Sequence, residues 1–580
     1  MLKKIILPSL FLSLSFLFFQ SCTDDAKQKD NGIALSLKSE PKTLNPLLAA
    51  GDAYGRQIIT QHIFNTLTEL DPNTMKYSPT LVKALPEVKD ITEGIYKGGV
   101  SYTYEILEDA VWDNQTPITG NDYVFSLKTI LNPKVENAYR SFYLDFVGDI
   151  QVDATNSKKF TVLMRRPYIL AENALSSILV MPEYAYDPKG IMKNFLLADL
   201  ADSKKVDVLA KNDQRLEEFA KDFINNHNRE KGTVIGSGPY QLENWETGAK
   251  VVLVKKLNYW GEKYADKNFG LTAHPNKLTY KIYAGDAAAL TDLKAGNLDI
   301  YAQMAASDYK SLEADANFTS KYNLFATKST YAIAININTR KAILSDLKVR
   351  EALAHLINTN EIVKDVHLNM AQPLQNPVMP SKDYYAKEVT EYGFDVEKAK
   401  KILADAGWKD TNNNGTVDKK IAGKQTEMDI TYLAGNKFPG KEVGQLIQNT
   451  AKQAGINVVL DIKDMKVVKD EMKKGSFDIL YSATSMDEDF EDFEQKWGTK
   501  SPSNVTGFGD ATTDKLIQKI NMTLDKSKRD PLYHDFQRIL HERIPCVFID
   551  NPQERIAISK RFANVKPASI RPYYFEHLFK

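Results

Sequence analysis

Between Glu427 and Ser485 two hydrophobic periods alternate, and that alternation limits the fold more than any other feature of the chain. "EMDITYLAG", "INVVLDIKDM" and "FDILYSATS" repeat apolar residues with the period of a strand, while "KEVGQLIQNTAKQAG" repeats them with the period of a helix. Strands interleaved with helices need helices packed on sheet faces, so the expectation is an α/β protein with mixed sheets.

The same alternation recurs upstream. "GIALSLKS" reads as a strand closed by the turn "EPKTLNP". "YGRQIITQHIFNTLTELDP" carries Ile58, Ile59, Ile63 and Leu67 at amphipathic-helix spacing. "SYTYEILEDAVW" and "KKFTVLMRRP" are strands around a helix expected to be capped at Asn121 or Asp122. "GPYQLENW", "AKVVLVKK", "TYAIAININT" and "IPCVFIDN" are further strands, and "DLKVREALAHLINTNEIV", "TTDKLIQKINMTL" and "PLYHDFQRILHER" further helices. At 580 residues the chain exceeds one core and divides into two or three domains.

The N-terminus differs from the rest. A basic head, Met1–Lys4, precedes the apolar run 5–19, and "QSC" ends it at Cys22. A mostly apolar run of fifteen residues suits a signal peptide better than a membrane span. The Cys after a small residue resembles a lipobox; the alternative is a plain secretory signal with a chance Cys. The expectation is a signal peptide over 1–21, lipidation at Cys22, and a polar tether over 22–32. Charge balance, 75 basic against 75 acidic residues, argues against a nucleic-acid partner. Cys546, the other cysteine, reads as a buried strand residue.

Motifs for catalysis are scarce: GxSxG, HExxH, GxxxxGK[ST] and CxxC are absent from the sequence, and "GSGPY" reads as a turn entering a strand. Two polar stretches invite a site. "DTNNNGTVD" puts Asp410, Asn412, Asn414 and Asp418 at positions 1, 3, 5 and 9 of an EF-hand-like loop, with Gly415 at 6 and Ile421 where the terminal carboxylate belongs. A structural calcium is the one cofactor candidate; an Asn-Gly turn without metal accounts for the same residues. "SMDEDFEDFEQKW" carries six carboxylates between Asp487 and Glu494. Met486, Phe490, Phe493 and Trp497 form one helical stripe there, which leaves Glu488, Glu491, Asp492 and Gln495 on an expected solvent face. Asp487 stands apart, at the turn from strand to helix, where it or Ser485 suits a helix N-cap.

The order of short signatures resembles the family of extracellular solute-binding proteins that deliver oligopeptides and dipeptides to ABC transporters. The pieces are "KTLNP", "IFNTLTEL", "AVWDNQTPITGNDYVFSL", "GSGPYQLENW" before "KKLNYWG", "LKAGNLDI", "AININTRKAILSDLKVREALAHLIN", "EKAKKILADAGW", "FDILYSATSMDED" and "YHDFQRILHERIPCVFI", together spanning about residues 33 to 560. Two departures stand out: no glycine in the turn Trp112–Gln115, and Ala483–Thr484 where the family often has Gly-Trp.

The resemblance implies a two-lobe periplasmic-binding-protein fold (type II-like, cluster C) with mixed sheets, a hinge of two crossing segments and an extra subdomain. It places lobe I at 33–77, 233–325 and 506–580, the extra subdomain at 78–232, and lobe II at 326–505. It implies that Asp487 pairs with a ligand's α-amino group and that Thr484 and Ser485 present strand backbone. Asp52 and Tyr54 would reach the cleft from lobe I, and Tyr331 would begin the strand entering lobe II. The function implied is capture of peptides, without catalysis, by an exported monomer. It would be lipid-anchored in the periplasm or cell envelope and partnered by an ABC permease. A different cargo (a metal chelate or an oligosaccharide) and a receptor lipoprotein without a transporter are the alternatives, with an exported hydrolase further off.

Overall fold

The computed structural model of the protein describes residues 31–580 other than 73, 138, 437, 438 and 487–489. One mixed sheet of twelve strands organises them. Across it, Asn457–Lys463, Asp429–Gly435, Ile479–Ser485 and Tyr331–Ile337 lead to Cys546–Ser559. Beyond lie Ile300–Tyr301, Ile33–Leu37, Lys277–Ile282, Lys250–Lys255 and Tyr240–Glu246. The 14-residue strand Cys546–Ser559 belongs to both halves. Its first part runs antiparallel to Tyr331–Ile337, with Cys546 opposite Asn336. Its last part runs antiparallel to Tyr322–Lys328, with Ser559 opposite Tyr322.

The chain therefore passes between the halves twice side by side, at Ser329–Thr330 and at Asn551–Pro552. The buried Asn551 amide ties the two passages, donating to the carbonyls of Ser329 at 2.8 Å and Tyr331 at 2.7 Å. Each passage is a short break between long ladders, the geometry of a hinge whose arms are stiff and whose joint is narrow.

In the half that begins at Tyr331, the parallel strands Asp429–Gly435 and Asn457–Lys463 are joined by the helix Gly440–Gln453, the unit that alternation from Glu427 predicts. That helix lies so close to the sheet that a Cβ on Gly444 would stand 2.6 Å from the Tyr432 ring. Ile335, Val349, Leu353, Ile430 and Ile447 fill the core beneath it, together with the helices Leu347–His355 and Val396–Asp405. A separate antiparallel sheet orders Glu87–Asp90, Val100–Glu105, Lys159–Met164 and Val147–Val152, and packs the helix Gly120–Leu131. The cap of that helix is Thr119, closed as a capping box by Asp122, rather than Asn121 or Asp122 itself.

Two expectations change. The stretch from 506 to the start of the long strand, expected wholly in lobe I, bonds to the second half as well as to the small antiparallel domain, where the Asn521 carbonyl accepts from Ile169 N–H at 2.8 Å. The Arg350 guanidinium donates to the carbonyls of Arg543 and Ile544, Tyr392 to that of His541, and Gln537 to that of Tyr384. The long strand crosses back near residue 551, at the polar run Asp550–Arg555 in its middle. The helix expected from Met486 through Trp497 is also shorter, Phe493–Trp497, with the Asp492 side chain accepting from the Gln495 N–H at 3.1 Å. Met486 packs with Ala332 and Leu374, whereas Phe493 and Trp497 enter the largest core, so the apparent stripe serves two cores. Glu491 and Asp492 are not solvated: both are buried, and Lys496 meets Glu491 at 2.8 Å. No helix among the described residues is long and apolar enough to cross a membrane.

Candidate functional site

Side chains from both halves gather where the chain crosses. Tyr331, the first residue of its strand, stands opposite Ser485, and Ala332 stands opposite Thr484. This pairing holds the end of the strand Ile479–Ser485 beside the joint. The Tyr331 hydroxyl accepts from the Arg571 guanidinium, which lies 5.8 Å from the Tyr331 ring centroid. Arg571 comes from the C-terminal tail, which is fixed to the joint because the Thr330 N–H donates to the Tyr573 hydroxyl at 3.0 Å.

Tyr54 arrives from the first half on the helix Ala53–Ile58 and donates from its hydroxyl to Gln303 Oε1 at 3.1 Å. Burial pushes its phenol up, and the nearby Arg571 charge opposes that shift. Glu554 follows the joint in the long strand, opposite Thr327. Burial raises its carboxyl, against the fields of Arg555, Arg571 and Lys38. Arg555 is committed elsewhere, donating to the carbonyls of Met304 at 2.5 Å and Gln553 at 2.6 Å, and Lys38 pairs with Asp286 at 2.9 Å. Arg571 has no carboxylate within ion-pair distance among the described residues. Most of its five N–H donors are left for something else.

Half-buried tyrosine rings, one under-used guanidinium and one carboxyl gather at the crossing. Such a cluster suits recognition of a ligand with charged and carbonyl groups, because charge-assisted bonds gain strength away from water. Neither Glu554 nor Arg571 belongs to a motif legible in the sequence. The signal that marks them is weak: a charged pair, Glu554–Arg555, ending the polar run that begins at Asp550, and an arginine in the aromatic tail "SIRPYYF".

Tyr54 and Tyr331 thus meet around Arg571, and Ser485 and Thr484 sit beside Tyr331. Asp52 does something else: its carboxylate accepts from the N–H groups of Tyr54 at 3.1 Å and Lys42 at 2.6 Å, which caps the helix and anchors the loop before it. Asp487 and Cys22 lie outside the described residues.

The loop 410–418 is knitted by its own side chains. Asp410 accepts from the N–H groups of Asn414 and Gly415, the buried Asp418 accepts from Thr411 N–H and hydroxyl, and Asn412 and Asn414 both donate to Glu427 on the neighbouring strand. Among the described residues no group of three or more carboxylate, imidazole or thiolate side chains is placed to hold a metal ion. Cys546 opens the long strand and is buried, which pushes its thiol far above the ordinary range.

Known proteins share this fold. Residues 88–504 match the family described as bacterial extracellular solute-binding proteins, family 5 middle. The oligopeptide-binding protein AppA of Bacillus subtilis is 23% identical over 561 residues, covering 94% of this chain and 91% of its own. Its structure in complex with a nonapeptide superposes with a TM-score of 0.72 at 22% identity, over 94% of this chain and 98% of that one. NikZ of Campylobacter jejuni, solved with Ni(L-His), superposes with a TM-score of 0.70 at 20% identity, over 93% and 96%. These likenesses show a two-lobe periplasmic-binding-protein fold.

Proposed function

We propose, from the premise that the chain belongs to family 5 of the bacterial extracellular solute-binding proteins, that it captures short peptides between its two halves and passes them to the permease of an ABC transporter. The observation that carries this reading is the cluster at the crossing, where Tyr54 and Arg571 from one half come near Tyr331 from the other. A ligand there touches both halves at once, so its binding energy favours the closed arrangement. AppA, held with a nonapeptide, makes peptide the first cargo to test.

In this reading Asp487, two residues beyond Ser485, takes the peptide's α-ammonium, and Thr484 and Ser485 offer backbone groups, which give affinity without side-chain selectivity. The protein acts as a monomer, exported by the segment 1–21 and held at the cell envelope through lipid on Cys22. A Cys22→Ser variant should then leave the membrane fraction for the soluble one; retention in the membrane would reject the anchor.

Native mass spectrometry of the purified protein tests the cargo. Co-purified peptides are the expected result, and a glycan in their place would reject the reading. A chelate is the second reading: NikZ is solved with Ni(L-His), and the spare donors of Arg571 suit a chelate's carboxylates equally. An Asp487→Asn variant should lose at least tenfold in affinity for peptides with a free N-terminus and little for N-acetylated ones. Equal affinity for both, matching the unmodified protein, would remove the amine anchor.

A further inference from the structure

A second, apolar cavity lies away from the crossing, between the loop after the first strand and the small antiparallel domain. Its volume is about 150 Å³, and Leu47, Ile130, Phe142, Tyr143, Leu170 and Leu179 form its walls. None of the side chains gathered at the crossing lines it. The walls are fixed from both sides. The Asn45 amide donates to the Phe223 carbonyl at 2.9 Å and Leu44 N–H to the Asn228 carbonyl at 2.9 Å, which clamps Pro46–Leu47 onto the domain. Across the cavity, the Asn137 amide donates to the Ile130 carbonyl at 3.0 Å while its oxygen accepts from the N–H groups of Tyr139 and Arg140, holding the turn that carries Phe142 and Tyr143.

Polar atoms near the walls are already engaged. The Tyr143 hydroxyl donates to the Ala174 carbonyl at 2.7 Å, and the Asn173 amide donates to the Tyr77 hydroxyl. Water therefore finds few partners inside. A preformed, mainly apolar cavity of this volume has room for a guest the size of benzene. The exception is at the rim. The exposed Ser177 hydroxyl there donates to Asn173 Oδ1 at 3.4 Å, and the half-buried Tyr139 offers one O–H donor.

The geometry points to a binding site for a single neutral aromatic ring, with room at the rim for one polar substituent. The ring belongs either to a small free compound or to the side chain of a larger ligand. This site does not depend on the cargo at the crossing.

Calorimetric titration of the full chain with toluene, p-cresol and N-acetyl-phenylalaninamide tests it, beside two variants. Ala174→Phe fills the cavity from its wall, and Ser177→Trp blocks the mouth from an exposed position. Saturable binding of toluene or p-cresol to the unmodified protein, weakened at least tenfold in both variants, is the expected result. If N-acetyl-phenylalaninamide binds as well, the ring can come from a larger ligand; if it alone fails, the site takes free compounds. No saturable binding of any of the three would overturn the inference, and so would equal binding by Ser177→Trp, which leaves the core untouched. Loss of ring binding with peptide capture intact separates this site from the one at the crossing.

Discussion

Glu69 is a carboxyl that the fold holds in its protonated form. It lies in the short strand Thr68–Leu70 opposite Ser78, under Gly270, where a Cβ would stand 2.6 Å from its Oε2. Burial pushes its pKa up to about 8. A raised carboxyl favours folding fully below the ordinary carboxylate range, near pH 4.5, and that contribution is lost as pH rises through 8. A tenfold change in proton affinity between the folded and unfolded chain is worth about 1.4 kcal/mol, so a Glu69→Gln variant should be more stable than the native protein above pH 8 by a few kcal/mol. Urea melts at pH 5, 7 and 9 would show it; parallel curves for the two proteins would refute it. His577 works in the opposite sense. Burial and His62 push its imidazole down to about 3, so its contribution is present above pH 6.5 and fades as the solution is acidified. Residues of these kinds are illegible in a sequence, because their chemistry comes from neighbours distant along the chain. Only the family's signatures point to Tyr54 and Tyr331, and only weak local signals mark Arg571 and Glu554, which belong to no motif.

Elements are more legible than residues wherever one period holds over a whole segment. The helices Leu347–His355 and Gly440–Gln453 each send their apolar residues into one core, so pattern and structure coincide. The stretch after Ser485 shows how the pattern fails: an i, i+4, i+7 spacing records apolar positions without recording that they enter different cores. Acid-rich composition misleads there too, because Glu491 is fully buried beside Lys496. Removing one member of a buried pair costs about 3–5 kcal/mol. Lys496→Ala should therefore destabilise by roughly that much, and Glu491→Gln added to it should recover part of the loss in thermal melts. The loop 410–418 poses a different test. Its carboxylates already have N–H donors, so the hydrogen bonds close it unaided, and millimolar calcium should leave the melting temperature unchanged. A rise that disappears in Asp410→Ala would instead establish an ion there.

At the scale of the whole molecule, the two halves share one sheet and one joint. The Asn551 amide is the bond common to both crossings. Leaving its buried carbonyl partners unsatisfied costs about 1–3 kcal/mol, so Asn551→Ala should lower stability by that order. It should also broaden the range of interlobe angles, read by small-angle scattering as a larger radius of gyration without ligand. Peptide should shrink that radius in the native protein; an unchanged radius at saturation would count against closure around the cargo. The α/β class is visible in the alternation of segments and the two-lobe form in the family's signatures, and the second crossing coincides with the polar run "DNPQER" that interrupts the late strand.

That late strand also sets an order of events in time. Tyr322–Lys328 and Tyr331–Ile337 both wait for partners that lie more than two hundred residues downstream, in Cys546–Ser559. A chain growing from its N-terminus cannot complete either half of the sheet until its last few dozen residues exist. Contacts so distant in sequence also close slowly. Until then the ladder edges stay open, and the polypeptide remains threadable through a narrow pore almost to the end of its synthesis.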